Sequence, residues 1–273
     1  MLEAIGKMFS YQFMVRAFLV GGLVSLCAAL LGVSMVLKRY SMIGDGLSHV
    51  GFGALAIASA LGWAPMAVTI PVVMVSAFLL LRLSNHSRVK GDSAIAMIST
   101  GALAVGVTVL SLSTGMTSDV NNYLFGSVLA MSASDARLSL ILGAVVLVVY
   151  LLLYRPVFCV TFDETFAKAT GRRADLMQVV LAMLTAVTIV IGMKVMGAML
   201  ISSLVIFPAL SAMRVCRSYR SVTICSALIS VLAFFVGICI SYAFSTPAGA
   251  SVVLVNIGVY GVMALLSHFI QRR

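Results

Sequence analysis

Charge is scarce in this sequence. Only 10% of its 273 residues are charged, 62% are hydrophobic, and the mean hydropathy is +1.16. A soluble domain carries about a quarter charged residues, and no water-soluble core could hide this much apolar surface. A soluble enzyme or binding module is thereby excluded. Lipid must solvate most of the chain, which reads as one membrane domain, 1–273.

Acids are scarcer than bases, 8 against 18, for a net charge of +10. The excess does not make a nucleic-acid surface, because the basic residues stand in short groups between apolar runs. CxxC spacing is also missing. Cys27, Cys159, Cys216, Cys225 and Cys239 are scattered and read as small apolar packing residues, not as a disulfide framework or thiolate metal site. No GxxxxGK[ST] occurs, so the chain does not bind ATP by the P-loop route itself; HExxH and GxSxG are absent too, which argues against an intramembrane enzyme. The first apolar run lacks a small-x-small cleavage pattern, and Cys27 follows Leu26, which does not suit lipoprotein processing. The segment reads as retained.

What is present is a series of nine apolar stretches: Phe13 to Leu37, Gly46 to Trp63, Met66 to Leu81, Ala94 to Ser113, Leu138 to Tyr154, Leu176 to Gly192, Val195 to Met213, Val222 to Phe244 and Ala250 to Phe269. At 1.5 Å per residue each covers all or nearly all of a hydrocarbon core about 30 Å thick. The fold expected is an all-α, polytopic transmembrane bundle of 8 to 9 spans. Only Met193 and Lys194 separate the sixth and seventh stretches, which points to a broken or re-entrant helix there. Frequent Gly, Ala and Ser inside the spans signal close helix packing.

Orientation follows from counting. One side collects Lys38, Arg39, the rows Arg82 to Lys90, Arg155 to Arg173 and Arg214 to Arg220, and the Arg272/Arg273 tail, fourteen of the 18 basic residues; the other keeps Lys7, Arg16, Arg137 and Lys194. The positive-inside rule makes the rich side cytoplasmic, with the N-terminus outside and the C-terminus inside. Two segments on that side, Thr161 to Asp175 and Pro208 to Arg220, have the short, basic character that suits either docking onto a partner or resting at lipid headgroups.

One constellation carries chemistry. Asp45 and His49 lie four residues apart beside the second apolar run, so on a helix their side chains share a face about 6 Å apart. Ten residues past Arg39, His49 falls about 15 Å into the membrane, near its midplane. An ionised Asp at such depth costs roughly 2.5–3.5 kcal/mol and usually marks an ion or substrate path. One carboxylate and one imidazole suit zinc, manganese or ferrous iron, and do not suit cuprous copper, which prefers sulfur. Two plainer readings stand beside this: Asp45 caps the second helix, and His49 is a packing residue. His86 and His268 read as interfacial, and the 17 methionines as soft packing side chains.

With these residues in view, GDGLSHVGFGA resembles a signature of the membrane permeases of bacterial zinc, manganese and iron ABC importers. RAFLVGGLVSLCAALLGVSMVLKRYSMIGDGLSHV is similar to that family's first two helices, FDETFAKATG to its cytoplasmic acidic-Ala-Gly segment, and TAVTIVIGMKVMGAMLISSLVIFPALSAM to its late transmembrane block. The resemblance implies a multi-pass homodimer in a bacterial plasma membrane with the general fold of cobalamin and siderophore permeases. It also implies a pair of cytoplasmic ATPase subunits, an extracellular metal-binding protein, a divalent metal as cargo and no permanently bound cofactor. It places the metal contacts on Asp45 and His49, and ATPase docking around Pro208, Ala209, Ser211, Arg214, Arg217 and Tyr219, with Thr161 to Gly171 nearby. Gly46 departs from the family's more usual Ala and loosens the helix beside the ligands. The competing class is a stand-alone secondary metal transporter or channel, which would usually need several membrane acids where the sequence offers Asp45.

Overall fold

A computed structural model describes residues 12–86, 91–114, 132–171 and 173–271. Lys7, Arg88, Lys90, Arg172, Arg272 and Arg273 of the charge count, and the part of the N-terminal segment before residue 12, lie outside the described residues.

Eleven helices are described, α1 Gln12–Leu37, α2 Ser41–Ala60, α3 Pro65–His86, α4 Gly91–Thr114, α5 Ala133–Leu152, α6 Tyr154–Phe162, α7 Glu164–Ala169, α8 Ala174–Met196, α9 Ala198–Val215, α10 Tyr219–Phe244 and α11 Ala248–Gln271. Eight of them are long and apolar enough to cross a membrane. Those eight are α1, α3, α4, α5, α8, α9, α10 and α11; α6 and α7 are short, and α2 is set apart by its polar and small residues.

Ion pairs and packing sort the helix ends into two groups. Lys38, just past α1, reaches Glu164 of α7 at 3.7 Å, and Lys168 of α7 reaches Asp175 at the start of α8 at 3.0 Å. Ala209 and Ala212 of α9 pack with Val33 of α1 and with Tyr219 and Val222 of α10, so these ends belong to the same group. At the other end Lys194, near the finish of α8, pairs with Asp135 in the first turn of α5 at 2.7 Å. Among the described residues, Lys38 and Lys168 thus lie at one end of the bundle and Lys194 at the other.

The junction between α8 and α9 differs from expectation. The helix runs straight through Met193 and Lys194 and stops at Gly197, whose φ of 89° and ψ of 157° lie where glycine alone is at ease. Because α8 starts and α9 finishes at the Lys38 end, Gly197 reverses the chain between two full-length helices, with no re-entrant segment. Lys194 does not break the helix because Asp135 meets its charge. Gly197→Ala is expected to strain this corner by about 1–3 kcal/mol, read as a lowered unfolding temperature of the purified chain; an unchanged temperature would remove the turn from the account.

α2 is the inner helix. Its glycines allow close approach: a Cβ on Gly53 would lie 2.7 Å from the Ala102 carbonyl oxygen of α4, and one on Gly46 would lie 2.8 Å from Ile95 Cγ2. Gly46 is therefore a contact surface for α4 as well as a flexible point. Phe52 of α2 lies in turn over Gly106 of α4.

Candidate metal path

α2 begins at Ser41 with Tyr40 before it, so Asp45 stands in the second turn and does not cap the helix. The flanks of α2 are buried against its neighbours: Ile43, Leu47, Val50 and Phe52 belong to the main core. Asp45 and His49 point elsewhere, with side chains 41% and 24% exposed. The bundle's own helices leave that face open.

His49 Nε2 lies 3.7 Å from Asp45 Oδ2, too far for a hydrogen bond and about the span that an ion bridging both would close. His49 Nδ1 is buried without a hydrogen-bond partner, an orphan of the kind that calls for an explanation. Ser48 sits between them; its hydroxyl donates to the Asp45 backbone carbonyl at 2.7 Å and lies 3.4 Å from Ser202 Oγ of α9. Among the described residues no three His, Cys, Asp or Glu converge on one point. The chain's own contribution at this point is thus one carboxylate and one imidazole. His268 is exposed near the end of α11, and the side chain of His86 lies outside the described residues.

The expected docking residues divide. Pro208, Ala209 and Ser211 are buried within α9, while Arg214 and Arg217 are exposed. Arg214 Nη2 donates to Tyr260 Oη at 2.6 Å. Tyr219 is buried: its hydroxyl lies 2.9 Å from Ser34 Oγ and 3.4 Å from Tyr150 Oη, and its ring meets those of Tyr154, Phe158 and Phe162. Tyr150, Tyr154, Phe158 and Phe162 recur every four residues, a helical aromatic row that was legible in the sequence but runs across the boundary between a span and a loop.

The second segment, 161–175, is fastened by charge. Glu164 accepts from Lys168 at 2.8 Å and from Gln178, and faces Lys38. Asp163 caps α7 by accepting from the Phe166 backbone N–H at 2.8 Å. The Lys168 hydrogen bond holds the Glu164 carboxyl below its ordinary value, and the Glu164 and Asp175 carboxylates raise Lys168. Burial pushes Lys38 down, with the nearby Glu164 carboxylate opposing.

A carboxyl held low in the folded state stabilises it above its ordinary titration range near 4.5, and that contribution is lost as pH falls through the lowered value. On acidification below that range, backbone amides of α7 should exchange faster with solvent while those of α8 stay protected. Uniform exchange across both helices would refute the fastening.

Against known proteins, the ABC 3 transport family model matches residues 10–267, and the chain belongs to that family. It is 29% identical over 249 residues to the manganese transport system membrane protein MntC of Halalkalibacterium halodurans, covering 91% of this chain and 85% of that one. It is 30% identical over 244 residues to the high-affinity zinc uptake system membrane protein ZnuB of Haemophilus influenzae, covering 89% and 94%. Among solved structures, PsaBC from Streptococcus pneumoniae in complex with Fab superimposes with a TM-score of 0.86 at 26% identity, covering 96% of this chain and 94% of that one. The chain is a polytopic membrane protein of the ABC-permease class, a transport subunit.

Proposed function

We propose that the chain, as one permease domain over 1–273, carries a divalent transition metal into the bacterial cytoplasm. Two copies form the pathway, a separate cytoplasmic ATPase pair drives alternating access, and an extracellular binding protein delivers the metal. The observation that carries this is the open face of α2, where Asp45 and His49 stand 3.7 Å apart with His49 Nδ1 unsatisfied. A second copy facing it would double the ligand set to two carboxylates and two imidazoles, and weak ligation by each half favours release. The oxygen and nitrogen donors fit manganese, zinc and ferrous iron, and the relatives named for manganese and zinc support the first two.

The Lys38 end, with Arg155, Lys168, Arg214, Arg217 and Arg220, is the cytoplasmic one by its basic excess. That reading puts the N-terminus outside, the C-terminus inside, and Arg214 and Arg217 where an ATPase would dock. The secondary-transporter alternative is weakened because Asp135, the acid in the first turn of α5, is already committed to Lys194. Reconstituted with its ATPase, the chain should move manganese or zinc only when ATP is supplied. Equal flux through the chain alone, without ATPase, would overturn the reading in favour of a secondary carrier or channel.

A further inference from the structure

We infer that Lys38 is a positioning residue for transport, whose loose pairing with Glu164 couples the cytoplasmic helix α7 to α2, the helix that presents Asp45 and His49. The inference rests on the reading of those two residues as the metal pair and of the Lys38 end as cytoplasmic.

Lys38 is costly where it stands. Its side chain is 9% exposed, and Nζ is buried without a hydrogen-bond partner among the described residues. A cation taken out of water is expensive unless it is both paired and hydrogen-bonded. Its neighbours meet that cost only in part: Glu164 Oε2 lies at 3.7 Å, beyond hydrogen-bond range, and the centroid of the Tyr40 ring at 5.9 Å. An apolar side chain of the same length would fill the place without the penalty, so packing alone does not account for a lysine. Glu164 itself is firmly held, by Lys168 at 2.8 Å and by Gln178 of α8, and Lys168 is held in turn by Asp175 at 3.0 Å. The pair is thus one fixed carboxylate and one cation about 1 Å short of a charge-assisted hydrogen bond.

The attachment of Lys38 gives that gap a consequence. Only Lys38, Arg39 and Tyr40 separate α1 from α2. All three are bonded to the last turns of α1: the Lys38 N–H donates to Ser34 O at 3.1 Å, that of Arg39 to Val36 O at 3.0 Å and that of Tyr40 to Met35 O at 2.8 Å. On the far side the Ile43 N–H of α2 donates to Tyr40 O at 3.0 Å. Arg39 has a φ of 62°, left-handed backbone that a residue other than glycine holds only under constraint. A link this short and this bonded has little slack, so when Lys38 closes on Glu164 or parts from it, the first turn of α2 follows. Asp45 stands one turn further, about 6 Å along the axis from Ser41. A shift of α7 therefore reaches the donor pair without passing through the α9–α10 corner that carries Arg217.

The test uses the full chain with its ATPase in proteoliposomes, and the purified chain for two measurements that need no transport. K38M keeps the length of the side chain and removes the cation. Because it also removes a poorly satisfied buried charge, its unfolding temperature should equal or exceed that of the wild type, while ATP-driven manganese or zinc uptake falls several-fold. K38R, which keeps the cation, should restore uptake. E164Q should lower uptake as well, and the K38M/E164Q double variant should be no worse than E164Q alone, since both substitutions break the same link. In hydrogen exchange on the purified chain, the amides of Ile43 to Leu47 should exchange several-fold faster in E164Q than in the wild type. Undiminished uptake by K38M overturns the inference. So does a lowered unfolding temperature in K38M, which would make Lys38 a structural residue, and so do additive losses in the double variant. Unchanged exchange over Ile43 to Leu47 removes the link from α7 to α2. Exchange is read without transport, so a wild-type complex that fails to transport counts against the permease reading alone.

Discussion

Asp45→Ala and His49→Ala are each expected to bring metal uptake to background while leaving the amount of chain in the membrane and its helix content unchanged. Each side chain is one half of the donor pair that α2 presents, and loss of even a supporting partner of a metal ligand lowers affinity or activity on the order of 10–100-fold. Loss of a direct ligand should be at least as severe. Folding should survive because the packing of α2 runs through Ile43, Leu47, Val50 and Phe52 and through its glycines, not through the carboxylate or the imidazole. Asp45→Asn is the sharper variant, since it keeps shape and volume and removes only the charge. Cells expressing the chain with its ATPase, assayed for accumulated manganese, zinc and iron, give the measurement. Wild-type accumulation by both alanine variants would remove the site.

The apolar rows announced the bundle because hydrophobic length is a local property, and it survives every detail of tertiary contact. Boundaries were less legible where a charge found a distant partner. Lys194 looked like a break because Asp135 is 59 positions away in the sequence, and the pair is visible only once α5 and α8 lie side by side. Asp45 pulled the apparent start of α2 to Gly46, whereas the helix begins at Ser41, since a polar residue on an otherwise buried helix lowers local hydropathy without ending it. Asp45 and His49 themselves were legible, because a four-residue spacing needs only one helix to become a shared face. The seat of Tyr219 was not: it is assembled by Ser34 of α1, Tyr150 of α5 and the α6 aromatics, three separate parts of the chain.

Tyr219→Ala is expected to unseat the α9–α10 corner. Deleting a large buried ring costs about 3–5 kcal/mol in well-packed interiors, and here Tyr154, Phe158 and Phe162 would lose their common neighbour. Ser34 and Tyr150, 0% and 1% exposed, would also lose the hydroxyl between them. Tyr219→Phe separates the two contributions, because it keeps the ring and removes only the hydrogen bonds, a loss of about 1–3 kcal/mol for buried groups left without a partner. Unfolding temperatures of the purified proteins should fall in the order wild type, Phe, Ala. On the proposed docking face the consequence reaches function: Arg217 and Arg220 flank Tyr219, so a corner that no longer holds its place should bind the ATPase poorly and yield little transport even where the Ala variant still inserts. If the Phe variant proves as unstable as the Ala variant, the hydroxyl chain and not the aromatic packing holds the corner. If neither variant differs from wild type, Tyr219 does not anchor it.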